Sequence, residues 1–298
     1  MRIGLFQFPA SVESYVGTCH QASTEGFRAI WSPQISGLDT MQMIGVAARE
    51  VPDLHFATAV VPTYPRHPVA LAQMGLTVQE ISGGRFTLGI GLSHKVVIEG
   101  VYAMSFDKPA RHMREYLSIL MPLVHDRKVN FTGETLTGRV ALQIGELPQL
   151  PVMLAAMAPA MLKLAGAVAD GTILWMTGPT TVRSQILPAL RAAADSAERA
   201  TPKIAAGLPM CLTTDVAAAR ERAAKEYVVY GQLPSYRAML DAEGLAGPAD
   251  LAVIGDEAAL RVGVERMREA GVDEFACAPF GSEEEQAATR AFVGSLAR

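Results

Sequence analysis

The residues able to do chemistry are few and scattered. His20, His55, His67, His94, His112 and His125 show neither the HxH nor the HExxH spacing that puts two imidazoles on one metal ion, so no metal site is expected. Cys19, Cys211 and Cys277 lie far apart and are odd in number, which fits neither a disulfide framework nor a zinc cluster and points to a reducing, cytoplasmic compartment. Hydrolysis by paired acids needs two carboxylates across one bond, and Schiff-base chemistry needs a desolvated lysine; neither pattern is evident. Gly89-Ile90-Gly91 begins like a phosphate loop but lacks the third glycine, and reads as a glycine-dense strand exit. Ala155-Ala156-Met157-Ala158 ahead of Pro159 differs: small residues lead into a helix start, whose free N–H groups can hold a phosphate. A tightly packed turn without a ligand explains that segment equally well.

Composition narrows the partners. The chain has 298 residues, 50% hydrophobic and 19% charged, with a net charge of −4 and basic residues scattered among acids. No electrostatic footprint for nucleic acid is present. Gly, Pro or charge interrupts every apolar run well short of the roughly 20 residues that span a bilayer, so no membrane segment is expected. Met1-Arg2-Ile3-Gly4-Leu5-Phe6 runs straight into a strand-like segment, and no targeting sequence is read there.

The elements that must position these residues follow from hydrophobic period. Short β-branched runs alternate with longer amphipathic ones, which predicts strands at 3–8, 29–32, 55–61, 86–90, 152–156, 172–176, 204–213 and 274–278. Helices are expected at 14–25, 40–50, 68–82, 111–124, 160–169, 182–199, 216–230, 257–270 and 283–296, with Gly26, Gly83-Gly84 and Gly271 as stops and Thr40 or Asp215 as caps. Residues 129–142 read as a hairpin and 235–254 as a short helix and loop, both insertions too small for a core of their own. Eight parallel βα units make an α/β fold, a (βα)8 TIM barrel with short insertions, expected as a single domain over residues 1–298. Its chemistry then lies where the carboxyl ends of the strands open into loops. Those loops are poor in carboxylates, Cys277 is expected to serve packing, and such a mouth suits a cofactor that carries its own reactivity.

Four segments carry a resemblance: Phe56-Ala57-Thr58-Ala59-Val60-Val61-Pro62-Thr63 with Arg66-His67-Pro68; Ile81 to Gly91; Ala155-Ala156-Met157-Ala158-Pro159 through Gly166; and Ala169-Asp170-Gly171. Together they resemble the bacterial luciferase-like family of flavin and deazaflavin oxidoreductases, and within it the enzymes that use coenzyme F420. The resemblance implies a bulge with a non-prolyl cis peptide at Ala59-Val60 behind the cofactor ring. It implies Leu92, Ser93 and His94 along the cofactor, the amides of Met157 and Ala158 after Ala156 on its phosphate, and Thr177 and Gly178 completing that wall. Arg66, His67 and Lys95 are candidates for its acidic oligoglutamate tail. Several relatives carry an acid and a histidine after the second strand, whereas this chain has Pro33-Gln34. Gln34 orients an acceptor but is no acid or base at neutral pH, which leaves proton delivery to water, substrate or His94. Gln34 and His94 are thus the catalytic candidates.

A substrate pocket with Phe8, Gln34, Tyr64, Trp175 and Phe280 is expected to be mostly apolar and to take a small organic carbonyl, alkene or imine. The expected reaction is hydride transfer between deazaflavin C5 and that substrate. A reduced-FMN monooxygenase and a catalytically silent flavin-binding protein are the alternatives. The resemblance also implies a homodimer formed through helices of the second and third βα units.

Overall fold

The computed structural model describes residues 1–8 and 10–297. Eight parallel strands close on themselves: β1 (Arg2–Phe6), β2 (Ala29–Ser32), β3 (His55–Thr58), β4 (Phe86–Gly91), β5 (Val152–Ala155), β6 (Gly171–Trp175), β7 (Lys203–Leu212) and β8 (Glu274–Pro279). Neighbours in sequence pair in that order, and β8 pairs with both β7 and β1, which completes the barrel. Each strand lies within two residues of its expected limits except β3. Residues 55–61 read as one apolar run, yet the strand stops at Thr58 and pairing resumes only at Val61–Pro62.

Period 2 sorts the side chains into two cores. Ile3, Leu5, Ile30 and Phe56 pack outward against helices, while Phe6, Trp31, Ala57, Met153 and Ile173 fill the lumen. The outer ring begins with α1 (Val12–Glu25), α2 (Thr40–Glu50), α3 (Pro68–Ile81), α4 (Pro109–Asp126), α5 (Pro159–Val168) and α6 (residues 179–196, with a π-helical turn at Val182–Ile186). Gly26 ends α1 with φ of 112°, as its position after the helix predicts. Asp39, rather than Thr40, caps α2, because its carboxylate accepts from the N–H groups of both Met41 and Gln42 at 3.1 Å. Among the described residues no helix is long and apolar enough to cross a membrane.

Two excursions interrupt the βα rhythm. The hairpin Lys128–Thr132 with Thr137–Ala141 is stitched to α4 by Glu115, whose buried carboxylate accepts from the N–H groups of Glu134, Thr135 and Leu136 and from Thr135 Oγ1, at 2.8–3.0 Å. Burial works against that charge, but the hydrogen bonds from Thr135, Glu134 and Leu136 outweigh it and hold the carboxyl at about 2. A folded-state value below the ordinary 4.5 contributes stability that is complete above 4.5 and fades as pH falls towards 2. Glu115→Gln should therefore cost about 2 kcal/mol at pH 7. In denaturant unfolding the gap from the parent should shrink between pH 4.5 and 2; a gap independent of pH contradicts this account.

The second excursion follows β7. The expected helix 216–230 instead ends at Glu226, and Val228–Gln232, Pro234–Glu243 and Pro248–Leu251 follow as separate short helices. A further strand, Val253–Gly255, then pairs with the end of β7.

Candidate active site

The mouth is organised around the break in β3. The Ala59–Val60 peptide is cis, as the resemblance implied. Around it, Ala59 N–H donates to Ser32 O at 2.8 Å, and Gln34 N–H donates to Val60 O at 3.3 Å. The ladder between β3 and β4 is maintained by a side chain: Thr58 Oγ1 donates to Gly89 O and accepts from Gly89 N, both at 2.8 Å. The backbones approach so closely that a Cβ on Gly89 would collide with the Thr58 carbonyl oxygen and Ile173. One on Gly91 would meet Val60 Cγ2 at 2.6 Å and Ala155 Cβ at 3.2 Å. The glycine-dense exit of β4 is thus the surface on which the bulge rests.

Beyond β5, Ala156, Met157 and Ala158 lead to α5, whose first residue is Pro159. Ala158 is the N-cap, no side chain caps this helix, and the N–H groups of Met157 and Ala158 have no acceptor among the described residues. An uncapped, positively polarised helix start framed by alanines suits an anionic group. Thr177 lies beside it, its hydroxyl 3.8 Å from Met157 Sδ.

Gly178 is the N-cap of α6, whose first turn already has a partner. The N–H groups of Thr180 and Thr181, at the start of α6, donate to Glu243 at 3.0 and 2.7 Å, and Thr181 Oγ1 adds a third bond at 2.7 Å. A Cβ at Gly178 would run into that carboxylate. The start of α5 therefore remains free for a phosphate, whereas that of α6 already holds an anion.

Gln34 and His94 flank the opening. Gln34 Oε1 accepts from Thr40 N–H at 2.7 Å, which fixes the carboxamide and leaves Nε2 as a donor. His94 precedes the short helix Lys95–Gly100, and burial lowers its pKa, so the ring is neutral at pH 7. Leu92 and Ser93 connect it to β4, and Ser93 has a left-handed backbone, φ 61°, a conformation that costs a non-glycine residue about 1 kcal/mol.

Aromatic side chains form the opposite wall. Phe6 and Trp175 stack at 4.8 Å, Trp175 meets Tyr230 edge-on at 6.2 Å, and Tyr227 meets Phe280 at 5.7 Å. Tyr230 contacts Tyr236 at 4.9 Å, and Tyr236 reaches His94 at 5.9 Å. Of the residues expected to line a substrate pocket, Trp175 is half-buried in this wall, whereas Phe280 is only 2% exposed and backs the wall rather than facing an opening; the three tyrosines and Glu243 were not anticipated. A signal for the tyrosines was available, since three of the chain's seven fall within positions 227–236.

Phe8 is 52% exposed at the rim, where it lines a 210 Å³ pocket with Pro33, Ile35 and Leu38. Tyr64 is held between His112, at 3.9 Å and nearly parallel, and Phe106 at 5.3 Å. The tail candidates have partners within the chain: Arg66 pairs with Asp39 at 3.2 Å, Lys95 with Glu99 at 3.8 Å, and His67 Nδ1 accepts from Val69 N–H. All three cysteines are buried and free, and burial raises the Cys277 thiol above its ordinary value. Among the described residues no three His, Cys, Asp or Glu are grouped to hold a metal.

The profile of the luciferase-like monooxygenases matches residues 7–291. A 5,10-methylenetetrahydromethanopterin reductase of Archaeoglobus fulgidus is 29% identical over 160 residues, 53% of this chain and 48% of the relative, so the match spans about half of that protein's length. Among solved structures, an F420-dependent secondary alcohol dehydrogenase in complex with an F420–acetone adduct superposes with a TM-score of 0.83 at 18% identity, over 98% of this chain and 97% of that one. The oxygenating constituent of 3,6-diketocamphane monooxygenase from Pseudomonas putida, in complex with FMN, gives 0.79 at 14% identity, over 100% and 97%. At such identities the two structures speak for the fold.

Proposed function

Because this chain belongs to the luciferase-like monooxygenase family, we propose that it is an oxidoreductase that holds coenzyme F420 in the barrel mouth and acts on a small organic substrate. The observation that carries this reading is the uncapped start of α5, with the free N–H groups of Met157 and Ala158, beside a floor made of Gly91, Ala155 and the Ala59–Val60 bulge. These residues fit a phosphate joined to a flat ring. The bound deazaflavin supplies hydride transfer at its C5.

The protein's own part is to bind, orient and exclude water. Val60, backed by Gly91, presents an apolar face to one side of a ring. Gln34, tied by its backbone to Val60 and by Oε1 to Thr40, offers Nε2 as a fixed donor that aligns a carbonyl or ring acceptor. His94, neutral, holds or accepts a proton at a ring nitrogen. Leu92 and Ser93 line the ring's edge, and Phe8 and Trp175 give the substrate an apolar approach, with buried Phe280 packed behind on Tyr227. Tyr64 packs against His112 of α4 and against Phe106 just before that helix. Among the described residues, none that lines the rim pocket beside Gln34 carries a charged side chain, which favours an uncharged substrate.

FMN is the alternative cofactor, since the same fold holds it in the Pseudomonas putida monooxygenase. A silent flavin-binding role is the further alternative, favoured by the replacement of an acid with Gln34. Titration of the apo-protein with F420 and with FMN, followed by stopped-flow reduction of enones and aldehydes, separates the three. Tight F420 binding with hydride transfer is expected. FMN binding without F420 affinity gives the monooxygenase, and tight binding without turnover gives the silent protein.

We further propose a cytoplasmic homodimer. A 1050 Å³ groove between α2 and α3, lined by Gly45, Val46, Gln73, Met74 and Thr77, lies where the resemblance puts the partner copy. Sedimentation should give twice the chain mass, and Val46→Glu should halve it; a monomeric parent rejects the assignment.

A further inference from the structure

The segment between β7 and β8 crosses the mouth, and one residue outside the cofactor contacts fixes it there. Its central helix, Pro234–Glu243, is bracketed by Pro234 at its first position and by Gly244 in the left-handed conformation, φ 79°. That punctuation makes Glu243 the last helical residue, where a carboxylate faces the negative end of its own helix and is disfavoured. The compensation comes from another helix. The N–H groups of Thr180 and Thr181 and the Thr181 hydroxyl all donate to Glu243, across more than sixty residues of sequence.

Farther along the same helix, Tyr236 packs against His94 at 5.9 Å and against Tyr230 at 4.9 Å, and Tyr230 packs on Trp175. The helix thus links the loop after β6 to the loop after β4. Arg237 braces the turn that follows, donating to the carbonyls of Leu245 and Ala246 at 2.7 and 2.9 Å. The hydrogen bonds that Glu243 accepts, with a longer one from Thr181 Oγ1 to Met239 O at 3.5 Å, are the main polar tie between this helix and the barrel wall.

We propose that Glu243 is a positioning residue: by filling the anion receptor at the start of α6 it latches the 228–247 segment over the mouth, and through Tyr236 it sets the place of His94. Glu243 spends its carboxylate on Thr180 and Thr181 and acts on the mouth only through its helix. Entry and exit of a cofactor or substrate then require those three bonds to break together. Only this kinetic part rests on the mouth being the cofactor site; the latch itself does not.

The test compares the parent with Glu243→Ala, Glu243→Gln and Thr181→Val, using hydrogen exchange on the apo-protein and stopped-flow binding of F420, with FMN as a second probe. In Glu243→Ala, exchange across 234–243 should accelerate about tenfold while β1–β8 keep their protection. Glu243→Gln and Thr181→Val should fall between, since each retains part of the hydrogen-bond set. Association and dissociation of the bound probe should both rise about tenfold in Glu243→Ala, with Kd changing less than about threefold. Faster exchange confined to Thr180 and Thr181, or uniform across the barrel, overturns the latch. If the parent binds neither probe, the cofactor reading falls and exchange alone decides the latch.

Discussion

Ala158→Asp should produce a protein at least as stable as its parent that has lost its cofactor. Ala158 is the uncapped N-cap of α5, with φ −78° and ψ 149°, a backbone that Asp adopts readily. An aspartate there accepts from the free N–H groups of the first turn and should add up to about 1 kcal/mol. It also places a negative charge where the phosphate is to sit. Two anions about 5 Å apart at an effective dielectric near 20 repel by more than 3 kcal/mol per charge pair, so binding should weaken at least about 100-fold. Riboflavin and the phosphate-free deazaflavin riboside, which lack that group, should change less than about threefold. Equal losses with and without the phosphate would remove α5 from the site, and so would no loss at all.

Gly89→Ala should be the most damaging small substitution in the chain. The new methyl would occupy the space of the Thr58 carbonyl and of Ile173, inside the region where β3 breaks and Thr58 Oγ1 carries the ladder. The fixed neighbour is backbone, so relaxation means moving the bulge. A cost of at least about 4 kcal/mol is expected, enough to leave most of the chain insoluble or unfolded at 37 °C. Gly17→Ala is the control: nothing lies within 4 Å of the added methyl and the site is helical, so stability should rise by about 0.5 kcal/mol. Soluble expression and urea midpoints read both. A Gly89→Ala protein with a parental midpoint would mean that the close approach of β3 and β4 is not as described.

These effects also mark what the sequence made legible. All eight barrel strands were, because a parallel strand buried on both faces is a short β-branched run, as in Ala29–Ser32 or Phe86–Gly91, bounded by glycine or a helix cap. The break in β3 was invisible to period: Thr58-Ala59-Val60-Val61 continues an apolar run, and only the family resemblance pointed to it. Gln34 was legible as a donor at the mouth, but not as a group whose oxygen is already used by Thr40. Glu243 was not legible at all. An acid at a helix end looks like solvated surface, and its partners at Thr180 and Thr181 become neighbours only when the barrel closes. The helix break at Tyr227 was hidden similarly, since Tyr227 meets Phe280 only once the chain beyond β8 is in place.

The central claim is that a flat redox ring rests against the Ala59–Val60 bulge while its phosphate is held at the start of α5. A crystal structure of the protein soaked with F420 tests it most directly. The account predicts the ring within van der Waals distance of Val60, with Gln34 Nε2 near an acceptor edge and phosphate oxygens within about 3 Å of the Met157 and Ala158 nitrogens. A ring bound outside the mouth, or a phosphate held elsewhere with those two N–H groups turned to solvent, would contradict it.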